Sequence, residues 1–338
     1  MSSRFYLVTS RLGWGHDSRI RGLANYSLSC CVNSLLQSFS ATWELAELLD
    51  KWEAAGVGGG HCNVPLQLKR VLAAMRSDIP QPAPHQDFLQ CLDRNHIRLE
   101  IQHDADEVFL FILNFMYQQM DDKPLALEIQ NLYKISVETH LQCLECRSVQ
   151  TQSSYLLRLP LHIKEDHNSL EGCMTSFFGH QELTDINCCL CARCGTKTPT
   201  KQHSKLLSLP RILCLHLKRF RSSRAFTRKL DCTVTFPETF DFSEILKEAL
   251  SSDLAQSDCK YTLHAVVVHS GYAMFGHYTA YVRHWANQCW YYADDSHVGQ
   301  ASWKDVQTSY GGHSRHTAYM LMYRRDSKVE GQQPEFTG

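Results

Sequence analysis

Two pairs of cysteines with the spacing Cys-x-x-Cys constrain the fold of this chain more than any other feature. Cys143 and Cys146 form the first pair, and Cys191 and Cys194 form the second. In a reducing compartment, two such pairs are typical of a tetrahedral zinc site, because each pair supplies two thiolates to one ion. Four thiolates fill the coordination shell and leave no position for a substrate. We therefore expect a structural zinc ion rather than a catalytic one.

The second cysteine pair has an alternative register, because Cys188 and Cys191 also have the spacing Cys-x-x-Cys. We favour Cys191 with Cys194, since Gly195 follows and permits the tight turn of a zinc knuckle. A cluster of buried free cysteines would leave the paired spacing unexplained. A redox role is also disfavoured, because neither pair lies in a βαβ pattern.

The composition indicates a globular protein. The 338 residues are 43% hydrophobic and 20% charged, and the formal net charge of −1 gives no bulk electrostatic reason to expect nucleic acid or an anionic membrane as partner. No stretch has the length of a membrane span or the pattern of a signal peptide. We expect an intracellular protein with reduced cysteines, cytoplasmic and with the nucleus as a second location. A local basic cluster is expected to form a solvated loop face: Lys218, Arg219, Arg221, Arg224, Arg228 and Lys229.

The periodicity of apolar residues changes once along the chain. From Gly22 to about Tyr133 it is mostly helical, with loops expected at 56–60 and 80–84. From about Ile135 short β-type runs dominate. The ends, residues 1–20 and 326–338, are polar enough to be predicted as flexible tails. The protein is expected to be a monomer.

Cys30 is the candidate nucleophile. The segment after it carries apolar residues at helical offsets, and Ser29 is a plausible N-cap, which places Cys30 in the first turn of a helix. Unpaired N–H groups and the helix dipole at that position favour a thiolate. The apolar residues at helical offsets are Val32, Leu35, Leu36 and Phe39.

His277 is the candidate base, and it begins a predicted β-hairpin. If the turn is centred on residues 286 and 287, His277 lies opposite Ser296 and shares a face with Asp294. A slip of one residue would favour Asp295 instead, so spacing alone does not choose between the two aspartates. The alternative interpretation is a structural histidine followed by two aspartates in a turn.

In order along the chain, these features and several further motifs resemble the catalytic domain of the ubiquitin-specific proteases. The resemblance runs from about Gly22 to Tyr323. It rests on both cysteine pairs and on the segments Gly22-Leu-Ala-Asn25 to Ser34, Gln102-His-Asp-Ala-Asp-Glu107, Leu209-Pro210, His216-Leu-Lys-Arg-Phe220, Gly276-His-Tyr278 to Tyr281, and Trp290-Tyr291.

The resemblance implies an α+β, papain-like fold with the architecture of a right hand, within a catalytic domain at 21–325. A helical thumb would span about 21–134, zinc-bearing β fingers 135–208 and a β palm 209–325. Cys30 would be the nucleophile, His277 the general base and acid, and Asp294 the residue that orients it, with Asp295 close by. Asn25 would donate its amide to the oxyanion. Asp104 and Glu107 match positions that grip the basic C-terminal tail of a ubiquitin-like substrate.

The chain departs from the family pattern just before the nucleophile. The family has Gly, Gln and Thr where this chain has Ser27, Leu28 and Ser29. Replacing Gly by Ser affects a turn that prefers a positive φ, and replacing Gln by Leu removes a polar group beside the oxyanion region.

One branch of the family resembles this chain most, through Ser29-Cys30-Cys31 and Ser302-Trp-Lys-Asp-Val-Gln307. That resemblance implies removal of the interferon-stimulated two-domain ubiquitin-like modifier from lysines, together with partners in interferon receptor signalling. Ubiquitin is the alternative substrate, because both modifiers end in the same kind of Arg-Gly-Gly tail. A third hypothesis is a binding protein that keeps the fold without cutting.

Overall fold

The structure is a computed structural model that describes residues 20–53, 63–222, 226–252, 254 and 259–326. The glycine-rich loop predicted at 56–60, Arg224 and nearly all of both predicted tails lie outside the described residues.

Helices fill the first part of the described chain, as the periodicity predicts. Several begin at a side-chain cap, with Asn63 accepting from the N–H of Leu66 and Asp122 from that of Leu125. None of the described helices is long and apolar enough to cross a membrane. The six are α1 Cys30–Ser40, α2 Trp43–Lys51, α3 Val64–Met75, α4 Gln86–Arg94, α5 Ala105–Gln119 and α6 Lys123–Tyr133.

Strands begin at Ile135, two residues after α6 ends. The transition falls where the sequence analysis places the border between thumb and fingers, while the three-part division itself stays a prediction. The strands are β1 Ile135–Cys143, β2 Val149–Leu156, β3 Leu159–Leu161, β4 Asn168–Ser169, β5 Gln181–Leu183, β6 Cys189–Leu190, β7 Lys197–Thr198, β8 Thr200–Ser208, β9 Ile212–Leu217, β10 Phe220–Ser222, β11 Thr227–Lys229, β12 Val234–Thr235, β13 Thr239–Asp241, β14 Lys260–Gly271, β15 Gly276–Arg283, β16 Trp290–Asp294, β17 His297–Ala301 and β18 Thr317–Arg325. Short helices are interspersed among them: α7 Leu170–Phe178, α8 Phe242–Ile245 and α9 Trp303–Gln307.

Two sheets hold most of the described strands, and the others form the two-stranded sheets β10-β11, β12-β4 and β6-β7. One of the two main sheets has four strands in the order β2-β1-β8-β5, and Cys143 and Cys146 lie at the end of its β1 and in the turn to β2. Cys191 and Cys194 lie in the turn between β6 and β7. The other main sheet has eight strands, with β17-β16-β15-β14-β18-β9-β3 in sequence and β13 paired to β14. The larger sheet holds His277 on β15, and α1 packs across β14 and β15.

The larger sheet is buried on both faces, so its central strands are apolar at consecutive positions. On β14, Ala265 and Val267 join the core shared with the helices, whereas Val266 and Val268 join a second core on the opposite face. This alternation follows from the two-residue period of a strand. Helix α1 is thereby fixed against the sheet from one side.

The basic cluster at 218–229 is a solvated face only in part, since Arg221 and Arg228 are exposed as predicted but two other members are not. Arg219 has no exposed surface, and the side chain of Lys229 is only 3% exposed. Arg219 donates to the carbonyls of Ala318 (2.6 Å), Leu230 (2.9 Å), Cys232 (2.9 Å) and Tyr310 (3.4 Å). Burial lowers its pKa to about 10. The guanidinium therefore joins β18 to two loops, a role that charge patterning along the sequence does not reveal.

We predict that Arg219→Met lowers the free energy of unfolding by more than about 3 kcal/mol, because several buried carbonyls lose their donor together. Urea denaturation measures the change. Arg228→Ala is the control, since Arg228 is half-exposed in its ion pair with Glu165, and its removal should cost about 1 kcal/mol or less. Equal losses in the two variants would contradict the assignment.

Candidate active site

Cys30 is the first residue of α1 and is 4% exposed. Ser29 occupies the N-cap position as predicted, but its side chain makes no capping bond. Its Oγ instead accepts from the N–H of Tyr26 (2.9 Å) and donates to Oδ1 of Asn25 (3.3 Å). The N–H groups of the first turn are thus left without that cap, next to the thiol.

The hairpin that carries His277 has the predicted register. Tyr281 pairs with Tyr292, and Ala280 pairs with Ala293, which extrapolates to His277 opposite Ser296. Nε2 of His277 lies 2.6 Å from Oδ1 of Asp294. The sequence spacing did not decide whether Asp294 or Asp295 is the partner of His277. In the structure Asp294 is the one hydrogen-bonded to the imidazole.

The surroundings of His277 favour its charged form. Hydrogen bonding to Asp294 and to the thiol of Cys30 raises the pKa of His277 to about 10, against an opposing effect of burial. The bond to His277 also lowers the pKa of Asp294. Because Nε2 is engaged by Asp294, Nδ1 is the nitrogen left for the Cys30 sulfur. The structure therefore brings Cys30, His277 and Asp294 into one connected group.

A carboxylate oxygen of Asp295 lies within 4.8 Å of His277 and Asp294, but its hydrogen bonds go to other residues. Its carboxylate accepts from Nδ2 of Asn25 (2.8 Å) and from Nδ2 of Asn33 (2.7 Å). Its backbone carbonyl accepts from the N–H of Leu23 (2.9 Å). The predicted oxyanion donor Asn25 is consequently fixed to the turn that follows Asp294.

Gly276, just before His277, is held by a side chain from the helical part of the chain. Gln102 donates to its carbonyl (2.8 Å) and accepts from its N–H (3.2 Å). A Cβ at Gly276 would overlap the ring of His269. This pair of hydrogen bonds is not predictable from the sequence pattern, although Gln102 belongs to the motif at 102–107.

Asp104 and Glu107, predicted to bind a substrate tail, lie at the start of α5. Asp104 caps the helix by accepting from the N–H of Asp106 (2.8 Å), and its other oxygen accepts from the hydroxyl of Tyr319 (2.6 Å). Glu107 is exposed in the first turn. The two carboxylates therefore share one end of one helix.

The segment that departs from the family pattern has an unusual backbone. Ser27 has φ of +60°, in the left-handed region that glycine adopts at little cost. Leu28 is 45% exposed. The expected preference for a positive φ at the position of Ser27 is confirmed.

The four cysteines of the two knuckles meet at one point. All four sulfurs lie within 4.8 Å of one another, with Cys146 and Cys191 3.6 Å apart and Cys143 and Cys194 3.9 Å apart. Tetrahedral zinc with bonds of about 2.3 Å separates its sulfurs by about 3.8 Å. The donor set and its spacing therefore fit zinc.

Each knuckle also has the backbone of a metal-binding turn. The N–H groups of Cys146 and Cys194 approach the sulfurs of Cys143 and Cys191, at 3.5 and 3.4 Å. Gly195 has φ of +70°, as the choice of register requires. The favoured pairing of Cys191 with Cys194 is confirmed.

Comparison with known proteins agrees with this architecture. The model of the ubiquitin carboxyl-terminal hydrolase family matches residues 21–323. Ubl carboxyl-terminal hydrolase 18 of Mus musculus is 36% identical over 322 residues, covering 92% of this chain and 87% of that protein. The Homo sapiens protein of the same name is 33% identical with the same coverage. Ubiquitin carboxyl-terminal hydrolase 47 of Drosophila melanogaster is 25% identical over 90% of this chain and 25% of that larger protein.

The chain belongs to the ubiquitin carboxyl-terminal hydrolase family, and its fold is the mixed α and β catalytic domain of the ubiquitin-specific proteases. Among the relatives compared, the proteins named Ubl carboxyl-terminal hydrolase 18 are similar to it over nearly their whole length.

We predict that Asp294→Asn lowers the pKa of His277 from about 10 toward its ordinary value of about 6.5, because the charged acceptor is lost. A group whose pKa is raised by folding stabilises the protein below its unfolded pKa, and the contribution disappears as pH rises through its folded pKa. The difference in unfolding free energy between wild type and variant should be largest near pH 6 and shrink toward pH 10.

NMR titration of the His277 imidazole and denaturation at a series of pH values measure these changes. Asp87→Asn, which alters an exposed carboxylate of α4, is the control and should leave the titration of His277 unchanged. An unaltered pKa of His277 in Asp294→Asn would refute the assigned cause.

Proposed function

We propose that this protein is a thiol isopeptidase that cleaves the bond between the C-terminal glycine of a ubiquitin-like modifier and a lysine side chain. The observation that carries the proposal is the connected group of Cys30, His277 and Asp294 at the N-terminus of α1. A thiol next to an imidazolium and a helix N-terminus is the arrangement that activates a cysteine nucleophile. Membership of the hydrolase family supports the same chemistry.

The reaction proceeds through an acyl-enzyme. The Cys30 thiolate attacks the glycine carbonyl carbon, and the tetrahedral intermediate collapses as the imidazolium of His277 gives its proton to the departing lysine nitrogen. The C–N bond breaks and a thioester to Cys30 remains. Neutral His277 then takes a proton from water, whose oxygen attacks the thioester carbonyl. The C–S bond breaks, Cys30 leaves as a thiolate next to the imidazolium, and the released carboxylic acid of the modifier loses its proton to solvent.

Asn25 is proposed to stabilise the oxyanion. Its amide carries two N–H bonds, and the contact with Asp295 uses one of them. The second N–H, together with the N–H groups at the start of α1, is available to the developing charge. Asp104 and Glu107 are proposed to pair with the arginine of the modifier tail, where a carboxylate can accept two parallel hydrogen bonds.

The proposed substrate is the interferon-stimulated two-domain modifier, which makes the protein a deISGylating enzyme. Two observations support this choice: the resemblance around Ser29-Cys30-Cys31, and the similarity to proteins named Ubl carboxyl-terminal hydrolase 18. The two modifiers share their tails, so selectivity must come from the surface that meets the folded part of the modifier. We further propose a monomer that damps interferon receptor signalling in the cytoplasm, with the nucleus as a second location.

We predict that a probe of the interferon-stimulated modifier with an activated C-terminus forms a covalent adduct with the wild type, and that a ubiquitin probe reacts far more slowly. Intact-mass spectrometry detects both adducts. Cys30→Ala should abolish the adduct, whereas Cys31→Ala, which removes the adjacent buried thiol, should retain it.

The other outcomes separate the alternatives. Comparable adducts with both probes would favour a broader deubiquitinase. No adduct with either probe, from folded protein, would favour a non-catalytic binder. An adduct that persists in Cys30→Ala would exclude Cys30 as the nucleophile.

We also propose that the four knuckle cysteines bind a structural zinc ion. Their sulfurs fit its geometry, and Oγ of Ser148 and Oγ1 of Thr198 approach two of them, at 3.0 Å from Cys146 and 3.1 Å from Cys143. Bound zinc would join the turn after β1 to the turn before β7. The ion would stabilise this end of the four-stranded sheet and take no part in the cleavage.

We predict that the purified protein contains one equivalent of zinc and that Cys191→Ser or chelation removes it, with loss of protection from hydrogen exchange in β1, β2 and β8. Elemental analysis and hydrogen-exchange mass spectrometry provide the measurements. Cys289→Ser, at a thiol outside the cluster, is the control. A metal-free protein with an equally protected sheet and full modifier capture would contradict the structural role.

A further inference from the structure

A buried histidine outside the predicted catalytic set ends a chain of hydrogen bonds that leads to Asn25. His85, just before α4, is 2% exposed, and its Nε2 lies 2.8 Å from Oδ1 of Asn33. Asn33 donates to one oxygen of Asp295 (2.7 Å), and the other oxygen accepts from Asn25 (2.8 Å). The path therefore joins the loop before α4 to the proposed oxyanion donor.

The direction of each bond in this path is determined. Nδ2 of Asn33 faces two acceptors, the Asp295 carboxylate and the carbonyl of Ala24 (3.3 Å), so its Oδ1 must face His85. Nε2 of His85 consequently carries a hydrogen and donates. Nδ1 of the same ring lies farther from its own acceptor, at 3.2 Å from the carbonyl of Ala83. Burial lowers the pKa of His85, against the opposing effects of that carbonyl and of Asp295. The hydrogen on Nε2 is required by Oδ1 of Asn33 whether or not Nδ1 carries one as well.

His85 is also braced by the segment that precedes the nucleophile. Its ring packs against that of Tyr26 with centroids 5.5 Å apart. Two residues before it, the N–H of Ala83 donates to the carbonyl of Gly22 (2.9 Å). These contacts hold the imidazole at a fixed position relative to residues 22–26, which include Asn25.

We propose that His85 is a positioning residue that aligns Asn25 for stabilisation of the oxyanion, acting through Asn33 and Asp295. The proposal rests on the proposed role of Asn25. Without the donor at position 85, the amide of Asn33 loses the bond that fixes its orientation, and Asp295 loses a defined donor. The direction of the second N–H of Asn25 is then no longer set, and a small misplacement of such a group is costly in rate.

The alternative is that His85 only fills space in the core, and two substitutions distinguish the roles. His85→Leu keeps most of the volume but removes the donor, and we expect kcat to fall about tenfold to a hundredfold with little change in KM. His85→Gln, whose amide can donate to Asn33, should recover most of the loss. A space-filling role predicts no such rescue and no selective effect on kcat.

The matched control is His264→Leu. His264 is an equally buried histidine, 1% exposed, and it contacts Thr42, which lies past the C-terminal end of α1, whereas Asn33 lies near the start of that helix. It should lose stability without a change in kcat per folded molecule. Titration of active sites with a covalent probe counts the competent molecules in every variant, and His85→Met replaces His85→Leu in the series if the latter does not fold.

A double-mutant cycle with Asn25→Ala provides the decisive test. Asn25→Ala alone should cost about a hundredfold or more in kcat. If His85 acts through Asn25, then His85→Leu causes little further loss in that background. Full additivity of the two losses would overturn the positioning role and leave the role of Asn25 intact, whereas an unchanged kcat in Asn25→Ala would instead refute the proposed oxyanion donor.

Discussion

The site depends on the contact between residues 22–25 and the turn that follows β16. The N–H of Leu23 bonds to the carbonyl of Asp295, and a Cβ at Gly22 would overlap the backbone of Ser296. This close approach joins the first described segment to a hairpin almost at the other end of the chain. Since α1 follows directly from this segment and packs on β14 and β15, one contact determines where the thiol lies relative to the imidazole. The rest of the fold keeps both partners rigid, through cores on each face of the larger sheet.

The features that could be predicted from sequence are those set by short-range periodicity. The hairpin register followed from the position of its turn, because strands alternate with a fixed period of two. The pairing of Cys191 with Cys194 followed from the backbone freedom of Gly195. Both depend only on residues close together in sequence.

The features that could not be predicted are those that depend on distant contacts of polar side chains. Gln102 reaches Gly276 across 174 positions, and Arg219 is buried among carbonyls from separate loops. His85 lies after a proline-rich segment that was predicted only to be a loop. In each case the side chain is polar, so hydrophobic patterning gives no indication of burial, and its partners become neighbours only when the sheet has formed.

The histidines His269, His277 and His316, in or next to the larger sheet, differ in pKa because their local environments differ. Burial lowers the pKa of His269 to about 3 and that of His316 to about 4, against a rise to about 10 for His277. His269 pairs with Tyr278 across the sheet, directly beside His277, so the difference does not come from remote position. It comes from the carboxylate of Asp294 and the thiol of Cys30, which only His277 contacts directly. His269 and His316 are therefore uncharged where His277 is charged, and of these three rings only that of His277 is an imidazolium next to the sulfur of Cys30.

The turn at Ser27 shows that the departures from the family pattern need not disrupt this arrangement. A residue with a side chain in the left-handed region costs about 1 kcal/mol, and such strain persists only where the surroundings enforce it. Two hydrogen bonds hold this turn: the N–H of Tyr26 donates to Oγ of Ser29, and the same hydroxyl donates to Oδ1 of Asn25. The side chain of Ser29 thus fixes the turn rather than capping α1. A turn held at both sides of Ser27 keeps the conformation that glycine would adopt, so the backbone next to Cys30 retains the geometry on which the proposed oxyanion site depends.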